Sequence, residues 1–176
     1  MENGISFLKT ERDIIKIRRA KLKDLDEITE IYNEAILKTV ATFDTEIKSL
    51  EEQKIWFKDH GPKNPIIVAE HEGIIVGWAS LSKWSDRCAY SDTAEISLYV
   101  KEKYQSKGIG KKLMESIIKD GKNAGIHSVI ARITEGNKVS VHLHESAGFK
   151  RIGVMKEVGI KFGKRLDVYL MEKIYK

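Results

Sequence analysis

An alternating strand, a loop with two glycines and a helix follow one another directly in the middle of the chain. The strand is Glu95 to Val100, the loop is Tyr104 to Lys111, and the helical spacing of apolar residues continues at Ile109, Leu113, Met114, Ile117 and Ile118. Gly108 and Gly110 lack the Cβ atoms that would keep a ligand away from the backbone. Because the first turn of a helix offers free N–H groups and a positive dipole end, this junction predicts a phosphate or pyrophosphate site.

Two common phosphate-binding patterns do not fit this loop. No glycine precedes Gly110-Lys111 at the distance that a P-loop requires, and Leu113 occupies the third glycine position of the dinucleotide pattern. What remains is Gln105-x-x-Gly108-x-Gly110 after a strand. An ordinary strand–helix turn stays open as the simpler interpretation of these residues alone.

A second segment supports a more specific interpretation. The residues from Asn137 to Phe149 form an Asn-led helical segment that ends in Gly148-Phe149. Together with the glycine loop, this segment resembles the two halves of the acetyl-coenzyme A site in the GNAT-type N-acetyltransferases. The resemblance implies an acetyl-CoA co-substrate and no metal ion.

The order of predicted elements agrees with this resemblance. Periodicity and turn residues predict β-α-α-β-β-β-α-β-α-β-β, with capping boxes at Asp24/Glu27 and Ser49/Glu52 at the starts of the first two helices. This is an α/β chain, and the GNAT fold has the same order: a mixed central β-sheet flanked by about four helices. We expect an extension over residues 1–14 and a single N-acetyltransferase domain over 15–174.

Four further segments look closest to the phosphinothricin N-acetyltransferase group within that superfamily. They are Ile31-Tyr32-Asn33, the stretch 41–46, Ala89-Tyr90 and the stretch 159–167. The group resemblance implies that the acceptor is a small L-amino acid or an analogue of one, and that the protein is a homodimer. The carboxylate of such an acceptor would need a guanidinium, for which Arg87 is the candidate. Phe43, Thr45 and Tyr90 are candidate walls, although each of these residues also has a purely structural interpretation.

Composition limits the classes of binding partner and the cellular compartment that we expect for this protein. The net charge of +5 invites a nucleic-acid interpretation, but 26 acidic residues are interleaved with the 31 basic ones and no Cys/His zinc pattern occurs. No apolar run approaches the ~20 residues of a membrane span. The N-terminal residues lack the apolar region of a signal peptide, and Cys88 is the single cysteine of the sequence. We therefore expect a cytoplasmic protein without nucleic-acid or membrane partners. Cys88 has no histidine near it in the sequence to make it a thiolate, so we do not expect it to be a nucleophile.

The resemblance assigns the cofactor to the strand edge, the loop and the Asn-led helix. Backbone N–H groups of the loop would bind the pyrophosphate, and the strand edge would pair with the pantetheine arm as an added strand. Asn137 has a second interpretation as an ordinary helix N-cap, and both roles are compatible. The predicted cofactor residues are Leu98, Tyr99, Val100, Gln105, Ser106, Lys107, Gly108, Ile109, Gly110, Lys111, Asn137 and Ser140.

Two titratable residues are candidates for the chemistry. Alternation puts Glu95, Ser97 and Tyr99 on one face of the strand, and a half-buried Glu95 carboxylate could take the proton of the acceptor amine. His144 stands where many GNAT enzymes carry a tyrosine that protonates the departing thiolate, and histidine can also donate a proton near neutral pH. The alternatives are a solvated carboxylate and a packed helix histidine.

The predicted function is acetyl transfer to a small amino acid by direct attack in a ternary complex. Two rivals keep the same fold. One is an acetyltransferase for a protein N-terminus or an antibiotic amine, and the other is a CoA-binding sensor without catalysis. Because a sensor needs no base, replacing Glu95 would separate it from the enzymes.

Overall fold

Seven strands and four α-helices follow one another in the predicted order. The computed structural model describes residues 14–176, so the predicted extension lies outside the described residues except for Ile14. Between residues 83 and 93, and between residues 100 and 109, the chain makes short 3₁₀ turns. The elements are β1 (Lys16–Arg19), α1 (Leu25–Lys38), α2 (Leu50–Asp59), β2 (Ile66–His71), β3 (Ile74–Lys83), β4 (Thr93–Val100), α3 (Ile109–Asn123), β5 (Ser128–Thr134), α4 (Lys138–Ser146), β6 (Lys150–Lys161) and β7 (Lys164–Ile174).

One mixed sheet contains all seven strands, in the order β1-β2-β3-β4-β5-β7-β6. Every neighbouring pair is antiparallel except β4 and β5, which run parallel. This one parallel pair is short, because only residues 93–95 of β4 pair with residues 128–130 of β5. Both strands continue beyond that point, β4 to Val100 and β5 to Thr134. The sheet therefore opens between its two central strands.

The two faces of the sheet are covered by different helices. The larger core lies under α3 and includes Ala94 and Ile96 of β4, with Leu98 and Val100 packed against it. The smaller core lies under α1 and α2, and Tyr99 packs against this one. Because neighbouring residues of β4 pack on opposite cores, the predicted alternation of this strand is confirmed.

One of the two predicted capping boxes is present. Ser49 Oγ accepts from the Glu52 N–H at 3.3 Å, and Glu52 Oε2 accepts from the Ser49 N–H at 2.8 Å. The box at Asp24 is wrong, because the Asp24 carboxylate accepts instead from both terminal nitrogens of Arg18 and from the Lys21 N–H. Its intended partner Glu27 accepts from the backbone of Ile75. A half-buried guanidinium thus outcompetes the helix end for this carboxylate.

The β6–β7 hairpin forms one edge of the sheet and carries an apolar surface. β6 is the outermost strand and pairs only with β7 along the described residues. Several large apolar side chains on and just after it are exposed to more than a third, namely Ile152, Val154, Val158, Ile160 and Phe162. Across residues 14–176, the helices are all too short or too polar to cross a bilayer.

Candidate active site

The glycine loop forms the anion-binding geometry that its sequence predicts. Gly108 is the N-cap of α3 with φ 78°, the left-handed conformation that favours glycine. The first helical hydrogen bond runs from the Lys112 N–H to the Gly108 carbonyl at 3.2 Å. The N–H groups of residues 109–111 therefore precede the helical hydrogen-bond ladder and are free to bind an anion. The loop is exposed from Gln105 to Gly108, so a ligand can reach it.

Gly110 faces the opening between β4 and the helix that follows β5. A Cβ built on Gly110 would lie 3.5 Å from Leu143 of α4 and 3.9 Å from Leu98 of β4. Both distances are ordinary van der Waals contacts, so the packing of the protein itself does not require glycine here. An absent Cβ at this position leaves space for a ligand between β4 and α4, which fits the backbone approach of a pantetheine arm.

The predicted strand edge lies at the same opening. Leu98 and Val100 direct their side chains into the α3 core, and Tyr99 directs its ring to the other face. Beyond residue 95, β4 is paired on its β3 side only. The Gln105 side chain closes the end of this strand by donating from Nε2 to the Val100 carbonyl at 3.1 Å. The backbone edge of residues 96–99 is thus available to an extended ligand.

Asn137 and Ser140 begin α4 on the far side of the opening. The Asn137 Oδ1 accepts from the Ser140 N–H at 3.1 Å, so its interpretation as an N-cap is confirmed. This bond uses the oxygen of the amide, and the two donors on its nitrogen remain available to a ligand. Lys107 and Lys111 are exposed on the opposite side, around the glycine loop.

His144 is buried in α4 and is held as a neutral imidazole. Its Nδ1 lies 2.8 Å from the Ser140 carbonyl, and its ring packs edge-on against Phe149. Because a carbonyl can only accept, Nδ1 carries the proton and Nε2 is the basic nitrogen. Burial lowers the pKa of His144 below its ordinary value, and the bond to Ser140 opposes this only in part. A neutral imidazole with a free Nε2 is better suited to accept a proton than to donate one.

Glu95 lies where the two central strands separate, and it is engaged in an ion pair. It is the last β4 residue that pairs with β5. The guanidinium of Arg132 donates to both carboxylate oxygens, at 2.5 Å from Nε and 2.7 Å from Nη2. The same pair raises the pKa of Arg132. Such a bidentate partner holds the carboxylate in one orientation and uses one lone pair on each of its oxygens.

Sequence reasoning missed Arg132, although a signal for it was present. Arg132 interrupts the apolar run of β5, and it stands two residues beyond Ile130, the register partner of Glu95. A charged residue within an otherwise apolar central strand suggests a partner of opposite charge on the neighbouring strand, although the Arg132 side chain itself is 53% exposed. The pairing of β4 with β5, which identifies this partner, is a tertiary contact.

The four predicted acceptor residues do not form a single wall. Arg87 and Tyr90 lie at the short turn before β4 and are exposed, as is Thr45. Phe43 lies against the backbone of β6, where a Cβ built on Gly159 would overlap its ring. Cys88 is exposed beside Arg87. Within residues 14–176, the turn that carries Arg87 therefore remains open to solvent.

A separate pocket of about 300 Å³ lies on the Glu95 face of the sheet, beneath α1 and α2. Ser97 of β4 forms part of its floor, and Tyr32 closes it through hydrogen bonds to Thr42 at 3.0 Å and to Asp44 at 2.8 Å. Burial raises the pKa of Tyr32 to about 12, so this phenol remains protonated. Sequence reasoning did not find this pocket, whose lining residues are Tyr32, Asp44, Lys48, Glu52, Gln53, Trp56, Trp78, Ser80 and Ser97.

A sheet that opens between β4 and β5, with a helix N-terminus and a glycine loop at the opening, fits the CoA-dependent acyltransferases that the sequence resembles. Comparison with known proteins agrees. The family model of the GNAT acetyltransferase domain matches residues 17–170. The chain is 35% identical to an L-amino acid N-acyltransferase of Escherichia coli, over 90% of this chain and 92% of the relative. It is also 35% identical to an L-methionine sulfoximine/L-methionine sulfone acetyltransferase of Salmonella typhimurium, over 89% of this chain and 92% of the relative.

A solved structure extends the comparison to the cofactor. A phosphinothricin acetyltransferase from Sinorhizobium meliloti, in complex with acetyl-CoA, superimposes with a TM-score of 0.88 at 34% identity, over 91% of this chain and 88% of that one. The chain belongs to the GNAT acetyltransferase family and is an acetyl-CoA-dependent N-acetyltransferase.

Proposed function

We propose that this enzyme transfers the acetyl group of acetyl-CoA to the amino group of a small L-amino acid or a close analogue. The relatives named for L-amino acids and for methionine sulfoximine and sulfone support this acceptor class. The observation that carries the proposal is the position of Glu95 at the point where β4 leaves β5. An acceptor at this point lies beside both the opening and a carboxylate.

The cofactor half of the site fits acetyl-CoA. N–H groups of residues 109–111 would bind the pyrophosphate, and the exposed Lys107 and Lys111 would add positive charge. The free edge of β4 would pair with the pantetheine arm in the space beside Gly110. Asn137 would contact the same arm through its amide nitrogen. This arrangement directs the thioester toward the end of the paired part of β4, where Glu95 lies.

The chemistry requires a neutral amine, because an aliphatic amine with a pKa near ~10 arrives protonated. We assign removal of this proton to Glu95, directly or through a water molecule. The amine nitrogen then attacks the thioester carbonyl and forms the C–N bond, the C–S bond breaks, and the thiolate leaves with the electron pair. The nitrogen loses its second proton to solvent as the neutral amide forms. With an ordinary thiol pKa of ~8.5, the thiolate is an acceptable leaving group without a strong acid.

The ion pair with Arg132 affects how Glu95 can act as the base. Each Glu95 oxygen keeps a second lone pair, but an oxygen that the guanidinium releases is freer to approach the acceptor amine. Arg132 has a side chain that is 53% exposed, so it can turn toward solvent or toward an anionic group of the acceptor at low desolvation cost. We therefore propose that the carboxylate of the bound acceptor draws Arg132 away from Glu95, with Arg87 as a second guanidinium for the same group.

The role of His144 follows from its protonation state. Burial disfavours the protonated form of His144, so a packed helix histidine is favoured over a general acid as its interpretation. Its free Nε2 can instead accept a hydrogen bond or relay a proton that leaves the amine. In this assignment, the thiolate is protonated by solvent after it leaves.

Several broader properties remain proposals. We propose that residues 15–174 fold as one domain in the cytoplasm, without nucleic-acid or membrane partners. We also propose a homodimer, and the exposed apolar side chains along β6 support it because an outer strand with such a surface is a ready interface. Sedimentation equilibrium tests this: Val158→Lys together with Ile160→Lys should shift a dimer toward monomer, and a wild-type monomer would contradict it.

An acetyl-transfer screen tests the proposed function. The purified protein is supplied with acetyl-CoA and a panel of free amino acids, methionine sulfone, methionine sulfoximine, phosphinothricin, short peptides and aminoglycosides, and thiol release is followed. We expect free amino acids or their analogues to react, with Glu95→Gln as the inactive control. Turnover confined to peptides or aminoglycosides would refute the acceptor class, and binding of acetyl-CoA without any turnover would refute catalysis.

A further inference from the structure

His60, the residue that follows α2, forms hydrogen bonds through both nitrogens of its ring. Its Nδ1 lies 2.7 Å from the carbonyl oxygen of Trp56, and its Nε2 lies 3.0 Å from Oγ of Ser82 on β3. The rings of His60 and Trp56 pack together with 4.6 Å between their centroids. The imidazole is therefore fixed in one orientation between the end of α2 and the sheet.

The two hydrogen-bond partners define the protonation state of the ring. Because the Trp56 carbonyl can only accept, Nδ1 carries the proton and Nε2 is the basic nitrogen. Burial lowers the pKa of His60 below its ordinary value, against the opposing effects of the Trp56 bond and of the neighbouring Asp59 charge. The neutral ring thus accepts the hydroxyl proton of Ser82 at Nε2. The Ser82 oxygen keeps its lone pairs for another donor.

Ser82 lies directly opposite Glu95. The two residues are register partners of the antiparallel strands β3 and β4, and the Cβ atoms of such partners are about 4.5–5.5 Å apart on one face of the sheet. Both residues are partly exposed, so neither is sealed within the core. An ammonium group at Glu95 therefore meets two acceptors, the carboxylate and the hydroxyl oxygen of Ser82.

The reaction releases two protons from the acceptor nitrogen. In the proposed function, Glu95 takes the first of them before the amine attacks. The second leaves after the C–N bond has formed, when the nitrogen again carries a positive charge. A carboxylate that has kept the first proton is no longer a base. The hydroxyl oxygen of Ser82 is the other acceptor that faces the same nitrogen.

We propose that Ser82 and His60 form a proton relay that takes the second proton of the acceptor nitrogen to solvent. This inference rests on the proposed function, which places that nitrogen at Glu95. The N–H bond of the nitrogen breaks and leaves its electron pair there, the Ser82 oxygen takes the proton, and the original hydroxyl proton of Ser82 passes to Nε2 of His60. The imidazolium donates from Nδ1 to the Trp56 carbonyl, which stabilises its charge. It then returns the proton from Nε2 to water, because His60 is partly exposed.

Turnover of substituted proteins tests the relay. Ser82→Ala removes the first acceptor, and His60→Gln keeps a hydrogen-bond acceptor for Ser82 but cannot take its proton. We expect each substitution to lower kcat by about a hundredfold, the lower end of the range for a positioned acid–base group, with the Kd of acetyl-CoA unchanged. Because the two residues act as a unit, the double variant should lose no more than either single variant. Ser82→Thr keeps the hydroxyl group and should retain most of the activity.

The control is His127→Gln, which changes an exposed histidine just before β5 and should leave kcat unchanged. Losses that multiply in the double variant, or a Ser82→Thr protein as slow as Ser82→Ala, would mean that the two residues only support the structure and would overturn the relay. Single variants with normal turnover would overturn it as well. A wild type that acetylates no amine would refute the proposed function itself, and the relay with it.

A second measurement tests the bond between Ser82 and His60 without turnover. The chain has five histidines, and His60→Gln identifies the ring nitrogens of His60 in ¹⁵N spectra of the free protein. We expect Nδ1 to carry the proton at neutral pH, and Ser82→Ala to raise the pKa of His60, because the hydroxyl group stabilises the neutral ring. A ring protonated at Nε2, or a titration that Ser82→Ala leaves unchanged, would overturn the relay even in an active acetyltransferase.

Discussion

Gly110→Ala should change stability and cofactor affinity in opposite directions. The new Cβ would meet Leu143 at 3.5 Å and Leu98 at 3.9 Å, so it fits the free protein without displacement. Alanine is favoured over glycine within a helix by about 0.8–1.0 kcal/mol, and Gly110 is the second residue of α3. We therefore expect unfolding to require up to about 1 kcal/mol more, which raises the melting temperature of a chain of this size by about 2–4 °C.

The same methyl group would occupy space that we assign to the ligand. If it displaces acetyl-CoA from even one backbone N–H, the loss of a hydrogen bond to a charged group costs about 1.5–3 kcal/mol, or about ten- to a hundredfold in affinity. Gly108 is a poorer choice for this test, because its φ of 78° makes any side chain there strained.

Calorimetric titration with acetyl-CoA and thermal unfolding of the free protein measure the two effects. Gly61→Ala is the control, since Gly61 has an ordinary φ and nothing within 4 Å of its built Cβ. A folded Gly110→Ala protein that binds acetyl-CoA as tightly as the wild type would refute the assignment of this opening to the cofactor.

Three further predictions concern the chemistry and the acceptor. Glu95→Gln should lower turnover by about 10²–10⁴ and abolish its rise with pH, with unchanged acetyl-CoA affinity; a variant with normal turnover would refute Glu95 as the base. Arg87→Ala should raise the KM of the amino-acid acceptor by about ten- to a hundredfold, and should raise the KM of the decarboxylated amine much less. Equal increases in KM for both acceptors would mean that Arg132, rather than Arg87, binds the carboxylate. Because burial lowers the pKa of His144 in the folded state, this histidine binds a proton in the unfolded state at a higher pH than in the folded state. The wild type should therefore lose stability as pH falls below about 6.5, and His144→Asn should weaken that pH dependence of the melting temperature; an unaltered slope would contradict the burial argument.

Local sequence determined the elements and the glycine loop. The glycine loop, the α4 N-cap at Asn137 and the box at Ser49 each depend on residues within a few positions of one another, so their local chemistry is enough to predict them. The alternation of β4 likewise follows from its own residues. For the same reason, the order of strands and helices could be predicted correctly.

Tertiary structure decided which partner each charged or polar group finds. Asp24 had two possible partners, a helix end and a guanidinium, and the guanidinium of Arg18 is held beside it by a further bond to Glu70 of the neighbouring strand β2. Glu95 and Arg132 are 37 residues apart and meet because β4 and β5 pair just before they separate. The burial of His144 and the bond between Ser82 and His60 depend on the same long-range packing. Desolvation and charge pairing act through space, so they are fixed only when distant segments of the chain come together.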